Sequence, residues 1–376
     1  MLVYGDFRSP HARGMRDGLV ASGNTILAVS SEAVDDPDIL SPKDSLSRAR
    51  RHGAMMAHAS DGGSRTRMAR SISHLQAVHT LLNLARLPAR VLFLRRAIRS
   101  FRPDVIHALR LPYEGLTALV TSRRVPVVVS TWGLDFEPMA SGDPLLRLWL
   151  RATLGRARGL HVDNPADHQR AINYGLPETV PHIYAAGNFG LDSALFHGGD
   201  EREQGLVVYP RRAIPGINYR GFVRAILELD SSLQFRAVGV GLIEVRDELL
   251  AEFGEQAMAR IELTERLTSA EFASLMRKSD VVVSPATWDG TPNTIIEAYS
   301  CGCRLVVGRL EQFEALVDAG VDMHLVDPTS WEEMHQAIRE LLLQRTESSG
   351  TRVVPAEFDR VANRSRFSDF YKKVLG

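Results

Sequence analysis

Short, unbroken apolar runs alternate along the chain with longer stretches in which apolar and polar positions mix. The runs at 1–4, 25–30, 104–108, 126–130, 159–164, 206–209, 235–240, 281–283, 305–307 and 321–327 read as strands. Most carry apolar side chains at consecutive positions, which predicts strands covered on both faces, as in a parallel sheet. Between them the pattern predicts a helix ending near Gly23, helices at 270–278 and 331–343, and a tail at 355–375 that is helical in part. Strands alternating with helices in this way give an α/β fold of doubly wound, Rossmann-like parallel sheets.

A chain of 376 residues has room for two such domains, each with its own core. The polar, glycine-containing stretch HGGDEREQG reads as a solvated hinge, which sets the domains at 1–196 and 205–355 with a linker at about 197–204. The two cysteines, Cys301 and Cys303, stand one residue apart, so no disulfide framework is expected and a reducing compartment fits. They read as small residues filling a helix end beside Gly302. Neither a signal peptide nor an apolar run of membrane-spanning length is visible, which gives a cytoplasmic expectation. Net charge is zero, yet residues 1–195 hold 24 Lys/Arg against 17 Asp/Glu and residues 196–376 hold 21 against 28. A basic half and an acidic half imply different partners for each.

Chemistry concentrates in VVVSPATWDGTPNTIIEAYSCGCRLVV, residues 281–307. Two apolar runs enclose a Gly/Pro turn and an amphipathic segment, so the turn lies at a strand's carboxyl end, where open α/β sheets bind ligands. Asp289 begins the loop, Thr291, Pro292 and Asn293 supply a helix start, and Glu297 follows Asp289 after seven intervening residues. With the helix starting near Pro292, the two carboxylates are spaced to grip different parts of one extended ligand.

DGTPNTIIEAYSCGCRLVV resembles the signature of glycosyltransferase family 4, retaining enzymes of the GT-B fold. The resemblance implies two Rossmann-like domains facing across a cleft, a nucleotide-sugar donor in the second and an acceptor in the first. It also implies a tail, 356–376, that crosses back onto the first domain. The family's motif usually opens on Glu, and Asp289 here is one methylene shorter. By resemblance Asp289 touches the donor sugar, Glu297 binds the nucleotide ribose, and Gly290, Thr291, Pro292, Asn293 and Thr294 form the loop and helix start around them. The family neutralises the donor diphosphate with an Arg after the first strand of the donor domain and a later Lys or Arg. Arg211, Arg212 and Arg220 are the candidates, and the choice among them stays open.

In the first half, His107 falls at the end of a strand in a stretch that many family members write as His, any residue, His; Leu109 occupies the second position, leaving His107 and Arg110 as carry-overs. STWGLDFE resembles a WGxD loop of a bacterial branch and brings in Trp132 and Asp135 on the acceptor side. Gly187 and Gly190 match the family's glycine-containing exit from the first domain. The first loop, GDFRSPHARG, lacks the GxGxxG of dinucleotide binding and supplies Arg8 and His11. Residues 31–64 read as an irregular insertion.

Residues 64–103 carry nine arginines and no acid, interleaved with Leu75, Val78, Leu81, Leu82, Val91, Leu92, Phe93 and Ile98. Pro88 is expected to split this stretch into two amphipathic helices. Such a surface suits the inner face of an anionic membrane, and equally two Arg-rich helices packed on a sheet. No nucleic-acid motif accompanies the charge. The resulting expectation is a retaining, metal-independent hexosyltransferase with a UDP- or GDP-linked sugar as substrate, no cofactor, and a saccharide or lipid-linked acceptor. Its rivals are an epimerase of the same fold, a non-catalytic GT-B scaffold and, least well supported, a nicotinamide enzyme.

Overall fold

The computed structural model describes residues 1–42, 65–132, 135–136, 144–199, 202–214, 216–287, 289–290, 293–344 and 350–376, with the backbone alone at 65–81. Two compact units emerge: Met1–Gly190 with Arg360–Gly376, and Leu191–Asp359.

The first unit runs β1 (Leu2–Gly5), α1 (Pro10–Ala21), β2 (Leu27–Ser30), β3 (Ile39–Leu40), α2 (Arg65–Phe101), β4 (Ile106–Leu109), α3 (Leu116–Thr121), β5 (Val127–Ser130), α4 (Pro144–Leu154), β6 (Gly159–Val162), α5 (Pro165–Asn173) and β7 (His182–Tyr184), with a π-turn at Leu111–Gly115. Its seven strands are ordered β3-β2-β1-β4-β5-β6-β7 and every pair is parallel. The inner strands β1, β4, β5 and β6 are buried at every position, including the polar His107, Ser130 and His161 set among their apolar residues. Side chains alternate across the sheet: Ile106 and Ala108 pack with α2 and α3, while Leu109 packs with the C-terminal helix, Arg360–Leu375. Ser9 and Asn164 cap α1 and α5, each followed by a proline whose missing N–H costs nothing there.

Pro88 does not divide the basic stretch; α2 continues through it. A proline deletes one backbone hydrogen bond and crowds the preceding turn. Here burial of Val91, and of Leu94 and Ala97 against the sheet, holds the helix after Pro88 in place. Within 31–42 the chain forms the short edge strand β3, and the remainder of the expected insertion, 43–64, lies outside the described residues.

The second unit runs β8 (Leu206–Tyr209), α6 (Tyr219–Leu227), β9 (Arg236–Val240), α7 (Arg246–Phe253), α8 (Glu255–Met258), β10 (Ile261–Thr264), α9 (Ser269–Lys278), β11 (Val281–Ser284), α10 (Asn293–Ser300), β12 (Arg304–Gly308), α11 (Glu311–Asp318), β13 (His324–Val326) and α12 (Trp331–Leu343). Six parallel strands are ordered β10-β9-β8-β11-β12-β13, with Val207 opposite Val281 in the central pair. Phe222 and Ile226 of α6 and Met334 and Ile338 of α12 cover one face. Thr268 and Glu271 close a reciprocal capping box on α9. Gly302 takes φ +83° directly after α10, a conformation that a side chain at this tight helix end would strain.

The expected hinge at 197–204 is tied down in its described part. The Gly198 N–H donates to Thr351 Oγ1 (2.8 Å), the Glu203 N–H to Lys278 O (2.9 Å), and Arg202 to the carbonyls of Gly302 (2.6 Å) and Cys301 (2.8 Å). The two units separate instead at Gly190–Leu191 and Asp359–Arg360. No helix among the described residues is long and apolar enough to cross a membrane.

Candidate functional site

In each unit the strand order reverses beside the first strand, between β1 and β4 and between β8 and β11. The loops leaving the carboxyl ends of these strands diverge there and leave a crevice, the usual ligand position in doubly wound sheets.

In the second unit that crevice is built from Arg211, after β8, and Asp289, after β11. The loops are fastened together by the Asn218 N–H donating to Pro285 O (2.9 Å) and the Thr287 N–H to Gly216 O (2.7 Å). Nη1 of Arg211 forms an ion pair with Asp289 Oδ2, and its Nε donates to Thr294 Oγ1 of α10 at 3.4 Å. The pair is largely shielded, with the two side chains 17% and 19% exposed. Burial pushes the Asp289 carboxyl above its ordinary range, and the Arg211 guanidinium opposes that rise. From α11, Gln312 Nε2 donates to the carbonyl oxygens of Asp289 (2.6 Å) and Gly290 (3.4 Å), fixing the loop backbone. Asn293 and Thr294 open α10, and Glu297 lies about one turn further along, partly buried. Thr291 and Pro292 lie outside the described residues.

The three candidate arginines separate. Only Arg211 meets Asp289. Arg212 is exposed, and its carbonyl accepts from the Tyr209 hydroxyl at 3.3 Å. Arg220 is held by Glu248 (3.0 Å) and Glu252 (3.1 Å) of α7, so the structure groups it with that helix and not with the Asp289 loop.

In the first unit Arg110 and Asp135 form the corresponding cluster. Arg110 leaves β4 with φ +115°, a strained value for a side-chain-bearing residue, and its Nη2 lies 3.0 Å from Asp135 Oδ1. Asp135 is fully buried; its Oδ2 accepts from the N–H groups of Trp132 (3.0 Å) and Leu111 (3.3 Å). The carboxylate therefore holds the strained corner and the loop after β5 in one geometry. Asp135 is the main cause of a raised Arg110 pKa, so the guanidinium stays charged. The Trp132 ring sits 5.8 Å from that of His11, and its buried Nε1 has no hydrogen-bond partner among the described residues. Gly187 lies against this indole: a Cβ there would come within 3.1 Å of Nε1. Gly190 has φ +109°, and its N–H donates to Asn188 Oδ1 (3.0 Å). Arg8 is bound by neighbouring Asp6 (2.8 Å from Nε). Gly133 of the expected WGxD loop is outside the described residues.

His107 does not belong to this site. It has no exposed surface and lies on the face of β4 turned to the C-terminal helix. Its Nδ1 is 2.7 Å from the Tyr371 hydroxyl and its Nε2 is 2.7 Å from Ser130 Oγ, which in turn lies 2.9 Å from His161 Nδ1. His161 Nε2 faces the carbonyl of Ala185 at 2.9 Å, so that nitrogen must donate. This orients the whole chain: Ser130 donates to His161, His107 Nε2 donates to Ser130, and Tyr371 donates to His107 Nδ1. A proton added to either acceptor nitrogen would meet a donor, which together with burial keeps both rings neutral. The pKa of His161 falls to about 4 and that of His107 is well below its ordinary value. The network is a fastening for the C-terminal helix.

Sequence reasoning missed Gln312 and Glu114. Gln312 is brought to the loop only by the sheet order, and no local pattern marks it. Glu114 is buried in the π-turn after Arg110, accepts from the Ser31 hydroxyl at 2.8 Å, and has its pKa raised by burial. Cys301 and Cys303 are buried free thiols, each pushed up to about 12 by burial. Among the described residues no group of three or more His, Cys, Asp or Glu is placed to hold a metal ion.

Comparison with known proteins follows the division of the chain. Residues 206–344 match the domain model described as Glycosyl transferases group 1, and residues 11–185 match the Glycosyl transferase 4-like domain. No curated protein sequence matches the chain. Similar solved structures include sucrose-phosphate synthase from Thermosynechococcus elongatus (TM-score 0.65, 14% identity, 99% of this chain and 93% of that one). A glycosyltransferase from Rickettsia africae ESF-5 has TM-score 0.66 at 13% identity, over 100% of this chain and 98% of that one. Anabaena HepE in complex with UDP has TM-score 0.63 at 14% identity, over 99% of each chain. Glycosyltransferase domains thus cover both units, and with the two Rossmann-like sheets they support assignment of the chain as a GT-B glycosyltransferase.

Proposed function

We propose that the chain is a retaining glycosyltransferase that moves a sugar from a nucleotide-sugar donor to a hydroxyl of a saccharide acceptor. The observation that carries this reading is the pairing of Arg211 with Asp289 at the β8/β11 crevice. Arg211 has five N–H donors in a planar fork, and the contacts to Asp289 and Thr294 use only part of them. The remainder suit the oxygens of a donor diphosphate, while the Asp289 carboxylate keeps the guanidinium aimed and accepts from sugar hydroxyls. Glu297, further along α10, is assigned to the ribose.

In the proposed reaction the bond from the sugar's anomeric carbon to the diphosphate oxygen breaks. The acceptor oxygen bonds to the same face of that carbon, and its proton passes to the departing phosphate. The nucleoside diphosphate leaves with the bonding electron pair. Arg211 and the start of α10 stabilise the charge that grows there, and we assign no metal to the step. Arg110 and Trp132 of the first unit are assigned to the acceptor, with the buried Asp135 holding both in place. HepE, a structural neighbour, binds UDP, which makes UDP the first nucleotide to test here.

For the acceptor, a lipid-linked saccharide is favoured. Leu82 and Leu92 of α2 are 52% and 57% exposed, with Arg95, Arg96 and Arg99 exposed on the same helix, a combination suited to an anionic membrane surface. The test is a product assay with UDP- and GDP-sugars on the full chain and its Arg211→Ala variant. Release of nucleoside diphosphate that requires both acceptor and Arg211 supports the reading. Isomerisation of the donor alone would replace it with an epimerase.

A further inference from the structure

At the opposite edge of the first unit, away from Arg110 and Trp132, the amino ends of β5 and β6 frame a second cavity of about 450 Å³. Arg123 and Arg124 enter it from the turn after α3, and Arg156 and Arg158 from the turn between α4 and β6. All four are exposed, and no Asp or Glu lines the cavity; Glu178 lies between two lining residues, Pro177 and Thr179, without joining them. Arg156 has a structural task, since its Nη2 reaches Leu119 O at 3.5 Å and ties the two turns together. The guanidinium groups of Arg123, Arg124 and Arg158 have no hydrogen-bond or ion-pair partner among the described residues, although the Arg158 backbone N–H donates to Val127 O (2.8 Å). The Ser122 hydroxyl is occupied on both sides by Val125, donating to its carbonyl (2.9 Å) and accepting from its N–H (3.1 Å).

Four like charges converging on one concavity repel one another, and the α3 and α4 carboxyl ends offset only part of that cost. A multiply charged anion removes the repulsion and satisfies the unused guanidinium forks, which match phosphate oxygens two at a time. We propose that this cavity is a binding site for a ligand bearing two or more phosphate groups, distinct from the crevice at Arg211 and Asp289. The phosphates belong either to a free polyanion or to lipid headgroups.

Calorimetry with inorganic tripolyphosphate tests this in an Arg211→Ala background, where the second unit's own phosphate contact is removed, so the result does not depend on the proposed activity. Adding Arg124→Gln and Arg158→Gln, both at exposed positions, should weaken binding by about ten-fold or more. A parallel sedimentation assay uses vesicles of phosphatidylglycerol and phosphatidylcholine against phosphatidylcholine alone. Loss of tripolyphosphate binding identifies a free polyanion as the ligand, and loss confined to anionic vesicles identifies headgroups. Unchanged binding in both assays, or no binding in either before substitution, overturns the proposal.

Discussion

Arg211 and Asp289 lie 78 residues apart in the chain and form one shielded ion pair at the point where the second sheet reverses its strand order. Each solves a problem for the other. A carboxylate with little water around it needs a counter-charge, and a guanidinium that is to meet phosphate must be held in a fixed direction.

Arg211→Ala is therefore expected to lower kcat by roughly 10²–10³-fold, the usual scale for one preorganised electrostatic donor. Arg211→Lys should recover only part of the loss, because an ammonium lacks the planar fork. Arg220→Ala should change kcat far less, since its guanidinium serves Glu248 and Glu252. Steady-state kinetics on the three variants decides the matter, and a larger loss in Arg220→Ala than in Arg211→Ala would reverse the assignment.

His161 gives a stability signature in acid. Its folded-state pKa is depressed to about 4 by burial, while an unfolded His titrates near its ordinary 6.5. The unfolded chain binds the extra proton first, so this contribution is present above pH 6.5 and is lost as pH falls towards 4. The full loss is about 3 kcal/mol. Urea unfolding at pH 7.5, 6 and 5 should show it, with a shallower pH dependence in His161→Gln; identical slopes would remove this account of the ring.

Glu114 acts with the opposite sign. Burial raises its folded-state pKa, so its favourable contribution exists below the unfolded carboxyl value and fades as pH rises through the folded value. Glu114→Gln keeps the acceptor for Ser31 and removes the buried charge. The variant should exceed the original chain in melting temperature at pH 8, with the gap closing towards pH 4.

Tyr371→Phe should cost about 1 kcal/mol by leaving His107 Nδ1 without its donor, while sparing catalysis. A selective loss of turnover with unchanged stability would instead return His107 to the active site.

Much of the fold was legible because buried parallel strands write themselves as continuous apolar runs, and β8, β11 and β12 stand out on that basis alone. Asp289 was legible as a member of a motif at a strand end, and Arg211 only as one of three arginines among which the sequence does not choose. Two readings failed for lack of tertiary information. His107 sits near a strand end, yet alternation across β4 turns it into the core, and a sequence does not say which face is which. Pro88 carries a local rule that the burial of Val91, Leu94 and Ala97 outweighs. Gln312 escaped notice because its contact with the Asp289 loop depends on the position of α11 in three dimensions.

The most direct test of the central claim is a calorimetric titration of the chain and of Arg211→Ala with UDP, GDP and ADP and their sugar conjugates. The account predicts that one nucleotide family binds and that its affinity falls in Arg211→Ala by about ten-fold or more, the scale of a lost charge-assisted contact. Equal affinity in both proteins, or binding by none of the nucleotides, would contradict a donor site built on Arg211 and Asp289.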